Sequence, residues 1–581
     1  MTLGAAVPAA LLSRLCRALL FLALALFAAP GHAAAPDDRA LRVTPMFDDP
    51  LELGAQIERI QDGLRTLGIY EGPIDGIAGA TTSRAIRLYE SQAGLRVTGQ
   101  PSKALLDHID SAGRGARLLA RIEAAKQRHI DQARQALSKN AVTRGLLAVR
   151  GRETADPTRD RHACFKAAAA DCFAAEAFET AKGIADKRFR NWAFSDIAAV
   201  FAQLNDDETS LLALARVDDP RLIITALRNI AIAHANAGRI DSAGQTADLI
   251  PDASARLEAQ AALALAMVRS GRTEDIGDLL DTIARDAADA EDVGRSINVL
   301  ARLASDLHGR NASLAARKML MLARQVAERP GIASDKRLRG SSDIAAAQAE
   351  IGDVDVAVAT ARELDDPVMR RPVLQAAAFT LADQGNLRRA IETAEQIADT
   401  RFRPVVFASV AQAAARAGDT TTAEDLLARA RADADRIESR YGYARSFAFS
   451  RITLALATLE DFDGAVAKGK EIADAGLRAQ VLWRVATAQA GADAGAARKT
   501  FDLAREAAQA TGSDQDRVWA LCTLAVVSRD LGDRGGADAA MKAALDIGAA
   551  MDSSFSRATA FARLAATLND LAAPAAPDQG R

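Results

Sequence analysis

Seven residues in the C-terminal half come nearest to a chemical motif. Gly464-Ala465-Val466-Ala467-Lys468-Gly469-Lys470 has most of the glycine and lysine pattern of a loop that cradles phosphates with backbone N–H groups and an ammonium. Glu471 stands where that chemistry needs a Ser or Thr hydroxyl, and the segment reads as helix with no strand before it, so its N–H groups are not free. No His-Glu-x-x-His helix, Gly-x-Ser-x-Gly elbow or Cys-x-x-Cys pair occurs. Apart from His32, the histidines are His108, His129, His162, His234 and His308, and none stands three or four residues from another, so no metal site is assigned. Catalytic residues and cofactors are likewise expected to be absent.

One other stretch holds particular residue types in a fixed order. Leu67-Gly68-Ile69-Tyr70-Glu71-Gly72-Pro73-Ile74-Asp75-Gly76-Ile77-Ala78-Gly79 leads to Thr81, Ala85-Ile86, Tyr89-Glu90 and Gly94-Leu95, with Thr98-Gly99 after it. The elements that position this stretch are helical. Leu53, Ile57, Ile60, Leu64 and Leu67 recur at helical spacing and Gly68 stops them. Glycines and a proline then force a sharply turning loop, with Asp75 as a turn residue. Thr81 or Thr82 is expected to cap a second helix carrying Ala85, Ile86, Tyr89 and Ala93, and Ser102 a short third one carrying Leu105, Leu106 and Ile109.

This pattern, over residues 50–110, resembles the peptidoglycan-binding domain attached to many bacterial wall proteins. The resemblance implies a three-helix bundle that holds wall glycan or peptide noncovalently in a shallow groove beside the glycine-rich loop. It points to Tyr70, Asp75, Thr81, Arg84 and Tyr89 as candidate ligand contacts. Each also has a structural reading: Tyr89 as core, Asp75 and Thr81 as turn and cap, Arg84 as solvated. Tyr89-Glu90 departs from the family's usual Phe-Gln, and Ala80 replaces a longer or more rigid residue.

The compartment follows from the first residues. Arg14 and Arg17 precede an apolar run from Ala18 to Phe27, and Pro30-Gly31-His32-Ala33 provides a small-residue exit, so residues 1–33 read as a signal peptide cleaved near Ala33. The run is too short for an ordinary transmembrane helix, and no later segment reaches that length without charges. A periplasmic protein without a membrane span in its mature chain is expected. A net charge of −3 argues against a general nucleic-acid binder.

Residues 111–161 read as a basic helical connector, with thirteen Lys and Arg against six Asp and Glu from Asp110 to Lys166. Gly113 and Gly115 are expected to mark its boundary. Read as one helix, Cys164 and Cys172 stand about 12 Å apart, beyond disulfide reach. They pair only if Asp171 starts a new helix after a tight turn; otherwise both are buried free thiols.

With 581 residues, 49% hydrophobic but only 4% aromatic, the chain favours helices packed closely on small residues. Asp186, Asp219 and Asp252 are 33 apart, as are Asp366 and Asp399, and Gly238/Gly271 and Gly352/Gly385/Gly418 keep the same interval. An arginine often follows the aspartate by four residues, at Arg190, Arg256, Arg370, Arg403 and Arg478. These landmarks predict an all-α protein in which residues 162–571 form a tetratricopeptide-like α-solenoid of nine or ten helical hairpins, followed by a disordered tail, 572–581. The Asp and Arg are expected to cap helices and to form i,i+4 or inter-repeat ion pairs. Alternatively, Arg370, Arg371, Arg401 and Arg403, the densest cluster, clamp carboxylates of a protein or peptide partner on the concave face. Trp192, Trp483 and Trp519 are expected in the core.

The resulting expectation is an exported, noncatalytic scaffold that binds peptidoglycan and presents its repeats to an envelope protein or peptide. A wall-remodelling enzyme or hydrolase-activating subunit, and a periplasmic sensor of peptides or wall fragments, are the other readings.

Overall fold

The computed structural model describes residues 50–148, 153–160, 162–272 and 275–573, with residues 50–53 as backbone only. The expected signal peptide, residues 1–33, and residues 574–581 of the expected tail lie outside the described residues. The chain divides into two units, 1–129 and 130–581.

The first unit is built on α1 (Pro50–Thr66), α2 (Ala80–Gln92) and the start of α3 (Lys103–Leu137). Ile57, Ile60, Leu64, Ala85, Ile86, Tyr89, Leu105, Leu106 and Ile109 are buried, so the apolar stripes meet as their spacing requires. The third helix is not short. It runs through Gly113 and Gly115 to Leu137, where a boundary was expected. Glycine in a helix interior costs about 1 kcal/mol relative to alanine, too little to stop a helix rich in good formers on both sides. A related glycine serves packing: a Cβ on Gly63 would lie 2.3 Å from Ile109 Cγ2, so only glycine lets α1 lie this close to α3.

In the second unit, α4 (Ala141–Leu146) and α5 (Ala163–Lys166) precede α6 (Ala170–Lys182). The helix expected across both cysteines is broken: Ala167 is extended, α6 restarts from Ala169, and Cys164 and Cys172 are joined, with Cα atoms 5.6 Å apart. Cys522 is free and buried. In the chain lacking residues 1–33, thiol labelling after non-reducing denaturation should therefore modify Cys522 alone. Cys164→Ser should cost about 2–3 kcal/mol, the loop-closure entropy of so short a bridge, read as a lower melting temperature.

Ten consecutive hairpins follow α6. Their first helices are Lys187–Gln203, Pro220–Asn236, Ala253–Arg269, Val293–His308, Ser334–Glu350, Pro367–Asp383, Arg403–Arg416, Gly442–Thr458, Ala475–Gln489 and Asp514–Asp530. The last described helix is Ser554–Ala572, and no described helix follows it in sequence. It pairs instead with α6, from the beginning of the unit, and also packs on Lys187–Gln203. The α-solenoid therefore closes on itself as a ring of eleven hairpins, the eleventh assembled from the two ends of the unit. The expected nine or ten hairpins fall short because this last pair is not contiguous.

The first helices of the hairpins each touch the next all round the ring, whereas their partners seldom touch one another. A fixed angular step separates axes more at larger radius, so the mutually touching set is the inner layer. Eleven helices at a spacing of ~9 Å place opposite axes about 30 Å apart, and subtracting the helix diameter leaves an opening of roughly 20 Å.

The sequence landmarks acquire local roles. Asp186, Asp219, Asp252, Asp366 and Asp474 accept backbone N–H groups at the starts of inner helices. The arginine four residues later does not form the expected i,i+4 pair. Arg190, Arg256, Arg370 and Arg478 donate six residues back, to the carbonyls of Ile184, Ile250, Leu364 and Ile472. Each thereby satisfies an orphan acceptor at the end of the preceding outer helix. The inter-repeat pairs do exist: Arg256 grips Asp286 and Arg403 grips Asp433, both bidentate across 30 residues.

Gly352 and Gly385 close inner helices with φ of 98° and 76°, left-handed backbone that side chains disfavour. Glu460 occupies the equivalent place at φ 60°. Glu460→Gly should raise stability by about 1 kcal/mol, seen as a higher denaturation midpoint, while Glu460→Ala should give no such gain.

Candidate functional site

The loop between α1 and α2 is organised by Gln61, a residue fully buried on α1. Its Oε1 accepts from the Asp75 and Gly76 N–H groups at 3.0 and 3.1 Å. Its Nε2 donates to Asp75 Oδ1 at 2.8 Å and, at 3.1 Å, to both the Ile77 carbonyl and Thr82 Oγ1. One amide thus holds the turn from both sides. Asp75 Oδ1 also accepts from the Ile77 N–H at 3.0 Å; the Gln61 bond first, then this one, hold the carboxyl below the ordinary carboxylate range. Gly76, at φ 70°, lies under the Gly54 carbonyl, where a Cβ would come within 3.0 Å.

The five candidate contacts do not share one surface. Tyr70 is buried and its hydroxyl donates to the Pro73 carbonyl at 2.7 Å, bracing the loop. Tyr89 is buried, hydrogen-bonded to His108 Nδ1, and burial pushes its phenol up to about 12. Asp75 is the turn. Thr81 and Arg84 are exposed on α2. The expected threonine cap is absent: Gly79 is the N-cap residue, without a side-chain bond, and Thr82 instead turns its hydroxyl back to the Ile77 carbonyl at 3.0 Å.

Two positions carry more of the architecture than their sequence suggested. Gln61 sits in the polar run Gln61-Asp62-Gly63, but it stands four residues after Ile57 and three before Leu64, which puts it on the buried face of α1. Glu90, which replaces the family's usual glutamine, accepts from the Thr98 N–H and hydroxyl and from the Gly99 N–H at 2.6–2.8 Å, fastening the loop before α3.

Beside Ile74, a cleft of about 340 Å³ opens between α1 and α3. Glu58, Arg59, Asp62 and Arg117 line it above Gly63 and Ile109, and Arg59 pairs with Asp110 across it at 2.5 Å. An apolar floor under mixed charge suits a ligand that presents both amide or hydroxyl groups and ionised ends.

In the ring, the four arginines proposed as partner contacts all have internal partners. Arg370 caps Leu364, and Arg371 stacks 3.7 Å over the Phe402 ring. Arg401 is bidentate on Asp399, and Arg403 on Asp433. The near-motif at Gly464–Lys470 is helical, and Asp461 accepts the Gly464 N–H, placing an acid where phosphate would sit. Trp483 is buried, but Trp192 and Trp519 are 52% and 46% exposed on inner helices, contrary to expectation; the ring interior is open, so an inner-helix position need not be core. Among the described residues, no group of three or more His, Cys, Asp or Glu is placed to hold a metal, and no helix is long and apolar enough to cross a membrane.

Fold and site together define an all-helical protein with a small three-helix module of the peptidoglycan-binding type and a ring of helical hairpins. Residues 54–109 match the family model described as "Putative peptidoglycan binding domain". No curated protein matches. Solved structures with detectable similarity include Ton1535 from Thermococcus onnurineus NA1, 15% identical over 56% of this chain and 96% of that one, TM-score 0.25. They also include a circular tandem repeat protein with novel repeat topology, 11% identical over 90% of this chain and 97% of that one, TM-score 0.15. Both scores are too low to bear on the ring, which rests on its own helix contacts.

Proposed function

We propose that this protein is exported to the periplasm, holds peptidoglycan noncovalently through residues 54–109, and uses its ring as a noncatalytic platform for an envelope protein or peptide. The observation that carries the reading is the family match over 54–109, on a module whose core and glycine-rich loop are completely formed. The cleft beside Ile74 offers a groove of suitable chemistry next to that loop. The apolar leader at Ala18–Phe27 supports export.

Co-sedimentation with purified sacculi, using the mature chain with and without residues 50–110, tests the wall-binding part. Binding that depends on those residues is expected; equal binding by both would sink it. A zymogram on the same sacculi should stay dark, and a cleared band would replace the platform reading with a hydrolase.

A further inference from the structure

Several arginines of the ring are neutralised within it. Arg228 and Arg295 share Glu258, and Arg401 holds Asp399. One sector differs. The inner helices Arg403–Arg416, Gly442–Thr458 and Ala475–Gln489 pack one against the next and carry Arg416, Arg451 and Arg484, the first and last of which act on Arg451 as like charges. Among the described residues no carboxylate pairs with any of them, and Arg451 spends its Nε and Nη2 on the neutral Ser409 hydroxyl at 3.3 and 3.1 Å. Burial first, then the charges of Arg484 and Arg416, lower the pKa of Arg451. Like charges held together without a counter-charge cost free energy, which an arriving anion would recover.

The same stripe carries an aromatic platform. Tyr443 and Phe447 stand one turn apart, rings 10° from parallel with centroids 6.5 Å apart, and are 73% and 39% exposed. Arg451 follows one turn further on. Four residues of helix rise about 6 Å, close to the ~7 Å between alternate side chains of an extended peptide. Guanidinium forks bind carboxylates bidentately, and an opening of roughly 20 Å admits an extended chain.

We propose that Arg416, Arg451 and Arg484, with the Tyr443–Phe447 platform, form a binding site inside the ring for an acidic peptide whose carboxylate lies two residues from an apolar side chain. This rests on the reading of the ring as a partner platform and moves the contact from the internally paired Arg370, Arg371, Arg401 and Arg403 to an unneutralised sector.

The test is fluorescence anisotropy on the full mature chain with a fluorescein-labelled Gly-Gly-Phe-Ala-Glu amide, its Phe-Ala-Gln counterpart and its Ala-Ala-Glu counterpart, with inorganic phosphate as competitor. Saturable binding of the Phe-Ala-Glu probe is expected. At least tenfold weakening should follow from Glu-to-Gln in the peptide, and from Arg451→Gln or Arg484→Gln in the protein. Phe447→Ala should weaken the Phe-Ala-Glu probe but leave the Ala-Ala-Glu probe unchanged. The melting temperature of Arg484→Gln should hold or rise, since a like charge is removed. Equal binding of the Gln peptide, unaltered binding by the arginine variants, displacement by phosphate at concentrations similar to the peptide, or a lower melting temperature for Arg484→Gln would each overturn the site. Sacculus co-sedimentation of these variants should match the parent chain, so loss of wall binding and loss of peptide binding are separate results.

Discussion

Gln61→Leu is expected to abolish sacculus binding while leaving the ring intact. The substitution nearly conserves volume, so α1 keeps its packing, but every polar bond of the loop hub is lost. The Asp75 and Gly76 N–H groups lose their side-chain acceptor, and the Ile77 carbonyl keeps only the Thr82 hydroxyl as a side-chain donor. A buried group left unsatisfied costs about 1–3 kcal/mol. A module of roughly sixty residues has stability on the order of 3–9 kcal/mol to lose, so the loop and much of its bundle should open. Circular dichroism melting should show an early transition for the first unit, with the ring's transition unmoved, and co-sedimentation should fall at least tenfold. Retained wall binding with a normal melt would show that the loop does not depend on its amide hub.

Phe561→Ala is expected to loosen the ring at one place. Phe561 is fully buried in the final helix, and its ring meets Phe165 at 5.6 Å and Phe173 at 5.7 Å, both from the start of the unit. Gln203 also donates to Asp570 across this junction at 2.7 Å. Truncating a buried phenylalanine typically costs about 3–5 kcal/mol. Here the cost falls on a pair of helices held together by packing alone, without the short connection present in every other hairpin. Hydrogen exchange should therefore accelerate first in Ala170–Lys182 and Ser554–Ala572, and the radius of gyration should grow as open rings become populated. Phe449→Ala, equally buried but within a contiguous hairpin, should destabilise without that localised pattern. Identical exchange profiles for the two variants would contradict closure by the chain ends.

Local chemistry was legible where it is written in adjacent residues. The 33-residue interval of Asp and Gly marks helix starts and stops because capping depends on the residue at the cap and its next few neighbours. The loop Glu71–Gly79 reads as a turn because glycine and proline restrict backbone angles wherever they stand. The same locality misled at Cys164–Cys172, where a run of alanines favours helix and the break at Ala167 is decided by packing of Phe165 against Phe173 and Phe561. It misled again for the arginines four residues after an aspartate, which turn to a carbonyl six residues back or to the next repeat.

The sequence by itself determined an all-helical chain and a repeating hairpin, since each depends on periodicity or on short-range geometry, and the order of residues in its glycine-rich loop carried the resemblance to a peptidoglycan-binding module. Only the tertiary structure decided that the solenoid closes, that its last hairpin joins residues almost four hundred apart, and that Gln61 and Glu90 hold the module's loops. Ring closure depends on a small angular step accumulating over eleven hairpins, and no single repeat encodes the sum. A buried amide, likewise, is recognised only by the groups that fold around it.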